Sequence, residues 1–387
     1  MNKIQRIFIM FILWFLIPIK VYSHTVEEIW TRQIDSLDFS TIDKTVTSIK
    51  SQKENPYLHE FNFKDTVIKI IKGEADFSLT NIIKAIIIMI FKEMPAYFAL
   101  IGKLIVISML CAFLSNLAES FKSKSTSSVG FYVCYIVLII LLLQSFKIAM
   151  RVSETTIENM VLIIQSSLPM LLTLMIASGA VTSGTVFEPF IIFALQIVGV
   201  FIKKVLLPLI FFTAVLGIIN SLTNKNFLKK MLEFFCQGID WIIKGIAILF
   251  IGLMSLSGLT APVLDGVINK AAKTAVGVVP VVGESLTGAV DIVMNCSLLI
   301  KNAVGVGVII LISIYCLLPL IKILLFLIVY KLTAALIEPI SDKRIVNCIS
   351  DTGDVCIKLF TAILTSSLIF IVAITILIGV GTMTSLR

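Results

Sequence analysis

The sequence predicts an all-α, polytopic helical membrane protein. It has a signal peptide, a short exported helical domain and a membrane core duplicated in parallel, each copy with a re-entrant hairpin. Three observations lead there. The 387 residues are 58% hydrophobic and only 14% charged, with a mean hydropathy of +1.04, whereas a soluble domain carries about 25% charged residues. Apolar runs of membrane-span length recur along most of the chain. The motif "LLPLI" occurs twice, at Leu206–Ile210 and at Leu317–Ile321, with similar neighbours.

The N-terminus "MNKIQRIFIMFILWFLIPIKVYSHT" sets Lys3 and Arg6 before an apolar run from Ile7 to Ile19, with Val21 and Ser23 at the small-residue positions. This is the pattern of a signal peptide over residues 1–23. Cleaved, or retained as an anchor, it exports the segment after it. Residues 24–81 form the one extended polar region. There Phe39, Ile42, Val46 and Ile49 recur at helical steps, Pro56 in "KENPYLHEF" breaks the pattern, and "VIKIIKGEADFSLTN" resumes it and ends near Gly73. Two or three short amphipathic helices are expected in this extracytoplasmic segment.

Residues 82–150 read as a first transmembrane hairpin. Its spans are Ala99–Ala118 and Val129–Met150, joined by "ESFKSKSTSS". An exported N-terminus puts Lys122 and Lys124 of that connection in the cytoplasm, as the positive-inside rule prefers.

Residues 151–258 and 259–387 read as two membrane repeats. Pro208 and Pro319 lie 111 residues apart, and so do Pro169 in "SSLPMLL" and Pro280 in "VVPVVGE". Beyond each LLPLI come an apolar helix, a basic amphipathic stretch (Thr223–Gly238 or Ser341–Gly353), then "GIDWIIK" or "GDVCIK" and a further span. Lys225, Lys229 and Lys230 in one copy and Lys343 and Arg344 in the other mark the cytoplasmic side. Each copy is therefore expected to enter from outside, lay its amphipathic stretch along the inner surface and return, so the repeat is parallel rather than inverted.

The run Val186–Leu222 would measure roughly 55 Å as one helix, against a hydrocarbon core of about 30 Å. It must tilt, protrude or break, and Pro208, beside Lys203 and Lys204, is the natural place; Pro319 with Lys322 poses the same problem in Ala303–Ile337. A proline removes a backbone donor and clashes with the carbonyl one turn back, so Pro208 and Pro319 are read as helix bends. The small-residue stretches around Pro169, Gly179 and Gly184, and around Pro280, Gly288 and Asp291, are read as re-entrant, lumen-lining hairpins, since irregular backbone at membrane depth must be buried in protein or face water. Gly238, Gly245 and Gly252, every seventh residue, are read as a helix-packing groove.

Charges within spans are functional candidates by default: Asp240, Lys244, Asp291, Lys301, Lys322 and Lys331. Asp240 and Lys244, spaced i,i+4, suggest a local ion pair. Little else carries chemistry. The seven cysteines form no C-x-x-C, and His24 and His59 have no ligand cluster, so no metal or cofactor is expected. "GAVTSGT" is no nucleophile elbow, and Walker A and H-E-x-x-H motifs are absent, so an enzyme is not expected. The net charge of +8 is spread between apolar runs rather than on one face, which argues against a nucleic-acid partner. Two classes stay open on the residues alone: a channel or assembly subunit, and a permease for a small solute.

The stretches "ASGAVTSGTVFEPF", "LLPLI", "MSLSGLTAPV", "AAKTAVGVVPVVG" and "LTAALIEPISDKRI" resemble the stage III sporulation protein AE family, over nearly the whole chain and most specifically between Ala177 and Ile345. The resemblance implies a multi-pass protein of the mother-cell membrane surrounding the forespore. It implies a part in the channel complex joining the two cells, which late forespore sigma-factor activity requires. It also implies partners: the other stage III A-operon proteins, the forespore channel protein, a membrane insertase and membrane lipid, within a homo-oligomer or hetero-complex. It implies no catalytic residues.

Overall fold

A computed structural model describes residues 26–51, 61–74, 79–120, 124–222, 227–277 and 283–385, and among these every regular element is helical. The predicted signal peptide, the break at Pro56, Lys122, Lys225 and Pro280 lie outside the described residues. The chain divides into two units, at Leu37 and Asp38. The first contains α1 (Val26–Ser36), whose opening turn carries Glu27 and Glu28, favourable charges at a helix N-terminus.

In the second unit, α2 (Ser40–Ser51) and α3 (Phe63–Lys72) are the predicted amphipathic helices, and Phe39, Ile42, Val46 and Ile49 are all buried. Asn62 caps α3 by accepting the Asp65 N–H at 3.2 Å. Gly73, at φ +70°, ends it: its N–H bonds to the Ile70 carbonyl and that of Glu74 to Lys69, a left-handed termination that favours glycine.

The remaining elements are long. They are α4 (Leu79–Ser120), α5 (Lys124–Ala177), α6 (Val181–Phe201), a π turn (Ile202–Leu206), α7 (Leu207–Leu222), α8 (Lys229–Gly277), α9 (Gly283–Ile337) and α10 (Lys343–Ser385). Counting α6 to α7 as one rod, six helices among the described residues are long and apolar enough to cross a membrane. The chain is an all-α, multi-pass membrane protein. Helix α9 lies against α10, α5, α4 and α8, and its Tyr330 is fully buried, its hydroxyl 2.7 Å from the Ser145 hydroxyl of α5. The short helices dock on this bundle by their apolar faces, α2 on α5 and α3 on α9. Phe63 and Val67 of α3 sit so close over Gly307 that a Cβ there would meet both at 3.3 Å.

Several expectations change in detail. The second predicted span does not stop at Met150: α5 runs through to Ala177, because Ser153 and Thr156 return their hydroxyls to the carbonyls of Ala149 and Val152 and so stay compatible with a helix. The basic amphipathic stretches do not lie along the surface as separate helices. Lys229–Gly238 and Lys343–Gly353 are the first turns of α8 and α10, in line with their apolar parts. Gly353 does not end a helix. It lets α10 approach α9, where a Cβ would meet the Tyr330 Cβ at 3.3 Å. Where α10 begins, Asp342 caps it, accepting the Arg344 N–H at 2.9 Å.

The two halves agree in order: a rod, a charged connection, then a second long helix packed antiparallel on it. Their breaks differ. The first half turns at Ser178–Ala180 and has the π turn, whereas the positions 111 residues later, 289–291 and 313–317, lie inside the unbroken α9.

Candidate functional site

At about 1.5 Å per residue, the apolar part of α5, Val129–Ala177, is roughly 73 Å long, and that of α9, Val290–Ile337, is nearly the same. A hydrocarbon core of about 30 Å covers less than half of either, and ordinary tilts up to about 40° do not close the gap. Midway along these helices lies a band of charge.

Four sets of contacts between helices define the band. Lys322 of α9 pairs with Glu93 of α4 at 4.0 Å. The Asn159 amide of α5 donates to the Tyr315 hydroxyl of α9 at 2.7 Å, two turns from Lys322. Lys203 in the π turn bridges two carboxylates of α5, Glu154 at 3.2 Å and Glu158. Lys358 of α10 donates to both oxygens of Asp240 on α8, each at 2.8 Å. That pair lies one turn beyond the Lys331–Asp354 pair of α9 and α10, at 2.7 Å. On α9 the contacts run from Tyr315 to Lys331, a little over four helical turns or roughly 24 Å. On α5 they leave about 20 apolar residues on each side, each a stretch of about 30 Å.

The π turn follows from local sequence. Pro208 has no N–H to bond the Lys204 carbonyl, and its ring crowds that carbonyl. The chain widens by one residue instead, and the Leu207 N–H bonds to the Ile202 carbonyl. Such insertions recur at functional sites. Here the turn carries Lys203 and Lys204 on the rod's flank toward α5. Between them opens a cleft of about 580 Å³, whose polar lining is Glu158, Asn159, Gln165, Gln196, Lys203 and Lys204. Gln165 donates its amide to Gln196 at 3.0 Å.

The residues singled out from sequence fall in different places. Pro208 is exposed, directly after the π turn, while Pro319 is buried and α9 continues through it as an α-helix. Pro169 lies within α5. Gly179, at φ +90°, makes the tight turn into α6, a conformation open to glycine, and Gly184 belongs to α6. Gly288 and Asp291 lie in the first turns of α9. Asp240 pairs across helices rather than with Lys244, because a half-buried partner held by a packed helix gains more than an exposed i,i+4 neighbour. Lys301 is fully buried and donates to the Ile378 carbonyl at 2.8 Å. A Cβ at each of Gly238, Gly245 and Gly252 would meet no atom within 4 Å, and Trp241 beside them is 79% exposed.

Sequence reading missed Glu93, Glu154, Glu158, Gln165 and Gln196. The one local signal was "RVSETTIE", a polar break in a long apolar run. Their partners are 31 to 229 residues away, so no spacing rule could join them.

Long apolar helices crossed by a charged band define a polytopic membrane protein with charged side chains paired between helices. Among the described residues no set of His, Cys, Asp and Glu gathers to hold a metal. The sequence model for Stage III sporulation protein AE matches residues 61–381. Stage III sporulation protein AE of Bacillus subtilis (strain 168) is 31% identical over 365 residues, covering 94% of this chain and 91% of that protein. The chain belongs to the stage III sporulation protein AE family, which supports a role in sporulation. No solved structure matches it.

Proposed function

We propose that this chain is a membrane-embedded component of the channel complex between mother cell and forespore, required for late forespore sigma-factor activity and spore development. It sits in the mother-cell membrane around the forespore, with its N-terminal segment extracytoplasmic, and works with the other stage III A-operon proteins and the forespore channel protein. A membrane insertase assists its assembly.

The observation that supports this reading most is the excess length of α5 and α9, carried by a member of a sporulation family. Roughly 40 Å of apolar helix beyond a bilayer needs protein neighbours, as a subunit of a larger assembly has and an isolated permease does not. The test is deletion of the gene in the organism that carries it, read with separate reporters for early and late forespore transcription. The late reporter is expected to stay silent while the early one fires, and tagged wild-type protein is expected to bring down other stage III A-operon products. A normal late reporter overturns the proposal. Solute uptake by the purified chain alone in vesicles would favour the permease.

A further inference from the structure

The cleft between α5 and the π turn has a composition that a channel role does not require. Its charged lining is Glu158, Lys203 and Lys204, and with Glu154, which also reaches Lys203, the local charges balance but are unevenly placed. The charges are not equivalent. Lys203 is shared by Glu154 and Glu158 and so is already neutralised. Lys204 is exposed and has no carboxylate partner among the described residues. The Gln196 carbonyl is taken by Gln165, which leaves the Gln196 amide hydrogens as donors at the same cleft. Both carboxylates are thus gathered on Lys203, and what stays open toward the cleft is one ammonium plus neutral donors, suited to a singly charged group with several oxygens.

The walls narrow the ligand further. Val161, Leu162 and Val200 line the same cleft, so a polar pole adjoins an apolar flank, the profile of an amphiphile rather than of a free ion. Depth agrees. The band in which the cleft lies is separated from each end of the apolar part of α5 by about 30 Å, one hydrocarbon thickness, so the band falls where headgroups lie. Basic pockets between transmembrane helices hold anionic headgroups, each Lys contributing on the order of tenfold in affinity or less.

We propose that this cleft binds the phosphate of an anionic phospholipid, Lys204 and the Gln196 amide donating to its oxygens while Val161, Leu162 and Val200 flank its glycerol and acyl portion. Such binding is a property of the isolated chain and does not depend on its place in a channel complex.

The test uses the full chain, purified in detergent, stripped of lipid and placed in bilayer discs of phosphatidylcholine mixed with phosphatidylglycerol. Native mass spectrometry then counts the lipid each molecule keeps. Wild type is expected to retain phosphatidylglycerol over phosphatidylcholine. Lys204→Gln should weaken that retention about tenfold, the scale of one lost charge-assisted hydrogen bond. Leu162→Trp, a substitution at a half-exposed wall position, should weaken it with all charges in place. Lys230→Gln, whose lysine is 93% exposed in a surface pair with Glu233, should not. Equal retention by wild type and Lys204→Gln, or no lipid preference in wild type, overturns the proposal. Displacement of the lipid by inorganic phosphate would assign the phosphate chemistry to a soluble ligand and overturn the lipid.

Discussion

Asp240 and Lys358 face each other across the α8–α10 contact, with both carboxylate oxygens 2.8 Å from a single ammonium. Each comes from the corresponding place in the paired motifs "GIDWIIK" and "GDVCIK", so the acid of one motif meets the base of the other. The side chains are 37% and 19% exposed, between a surface pair and a buried one. Removing one partner leaves a half-desolvated charge.

Asp240→Asn and Lys358→Gln are each expected to destabilise the folded chain by about 1–2 kcal/mol, and the double variant by less than their sum. Lys244→Gln, at an exposed position, should stay within about 0.5 kcal/mol. Thermal unfolding in detergent measures all four. A larger effect at Lys244 than at Lys358 would return the pair to α8 alone.

Gly305 faces Ile378 so closely that a Cβ would lie 2.3 Å from the Ile378 Cγ1. The contact sits one turn from Lys301, whose ammonium holds the Ile378 carbonyl. Gly305→Ala should cost about 1–3 kcal/mol by overpacking, and adding Ile378→Ala should recover part of it. A single variant as stable as wild type, by the same melts, would show that the helices are free to separate there.

Pro208 and Pro319 should differ, although their motifs are identical. In Pro208→Ala the new N–H can bond the Lys204 carbonyl, so the π turn loses its cause and closes to an α-helix, shifting register by one residue. Two disulfides report this: Val161→Cys with Gly199→Cys, where a Cβ on Gly199 lies 3.1 Å from Val161, and Phe212→Cys with Phe235→Cys, whose rings are 5.4 Å apart. The half-exposed Cys134 and Cys236 are first replaced by serine. At least one crosslink should fall severalfold in Pro208→Ala and neither in Pro319→Ala. Unchanged yields for both would detach the π turn from the proline.

Asp342 lies between α9 and α10, outside the apolar spans. The Arg344 guanidinium donates to both its carboxylate oxygens, at 3.2 and 2.8 Å, and this holds the carboxyl below its ordinary value of 3.8. A depressed carboxylate pKa stabilises the fold above the unfolded value, about 3.9, and the benefit disappears as pH falls through the folded value. Asp342→Asn should therefore reduce stability equally at pH 7 and pH 5, and by progressively less as the pH drops below about 4. A deficit that already shrinks between pH 7 and pH 5 would assign the effect to another group.

The sequence by itself determined the class, the order of apolar runs, the buried face from Phe39 to Ile49 and the helix end at Gly73. Each depends on neighbours within one or two turns and on transfer out of water. It also marked Lys203, Lys204 and Pro208 as the place where an overlong run must change. Only the tertiary structure decided that Glu154 and Glu158 answer Lys203, that Asp240 turns to Lys358, and that one LLPLI begins in a π turn while the other lies inside an unbroken α-helix. The physical reason is range. A proline's missing N–H is local, but its remedy depends on whether the neighbouring helices leave room, and a charge chooses its partner by distance in space once packing has set which helices touch.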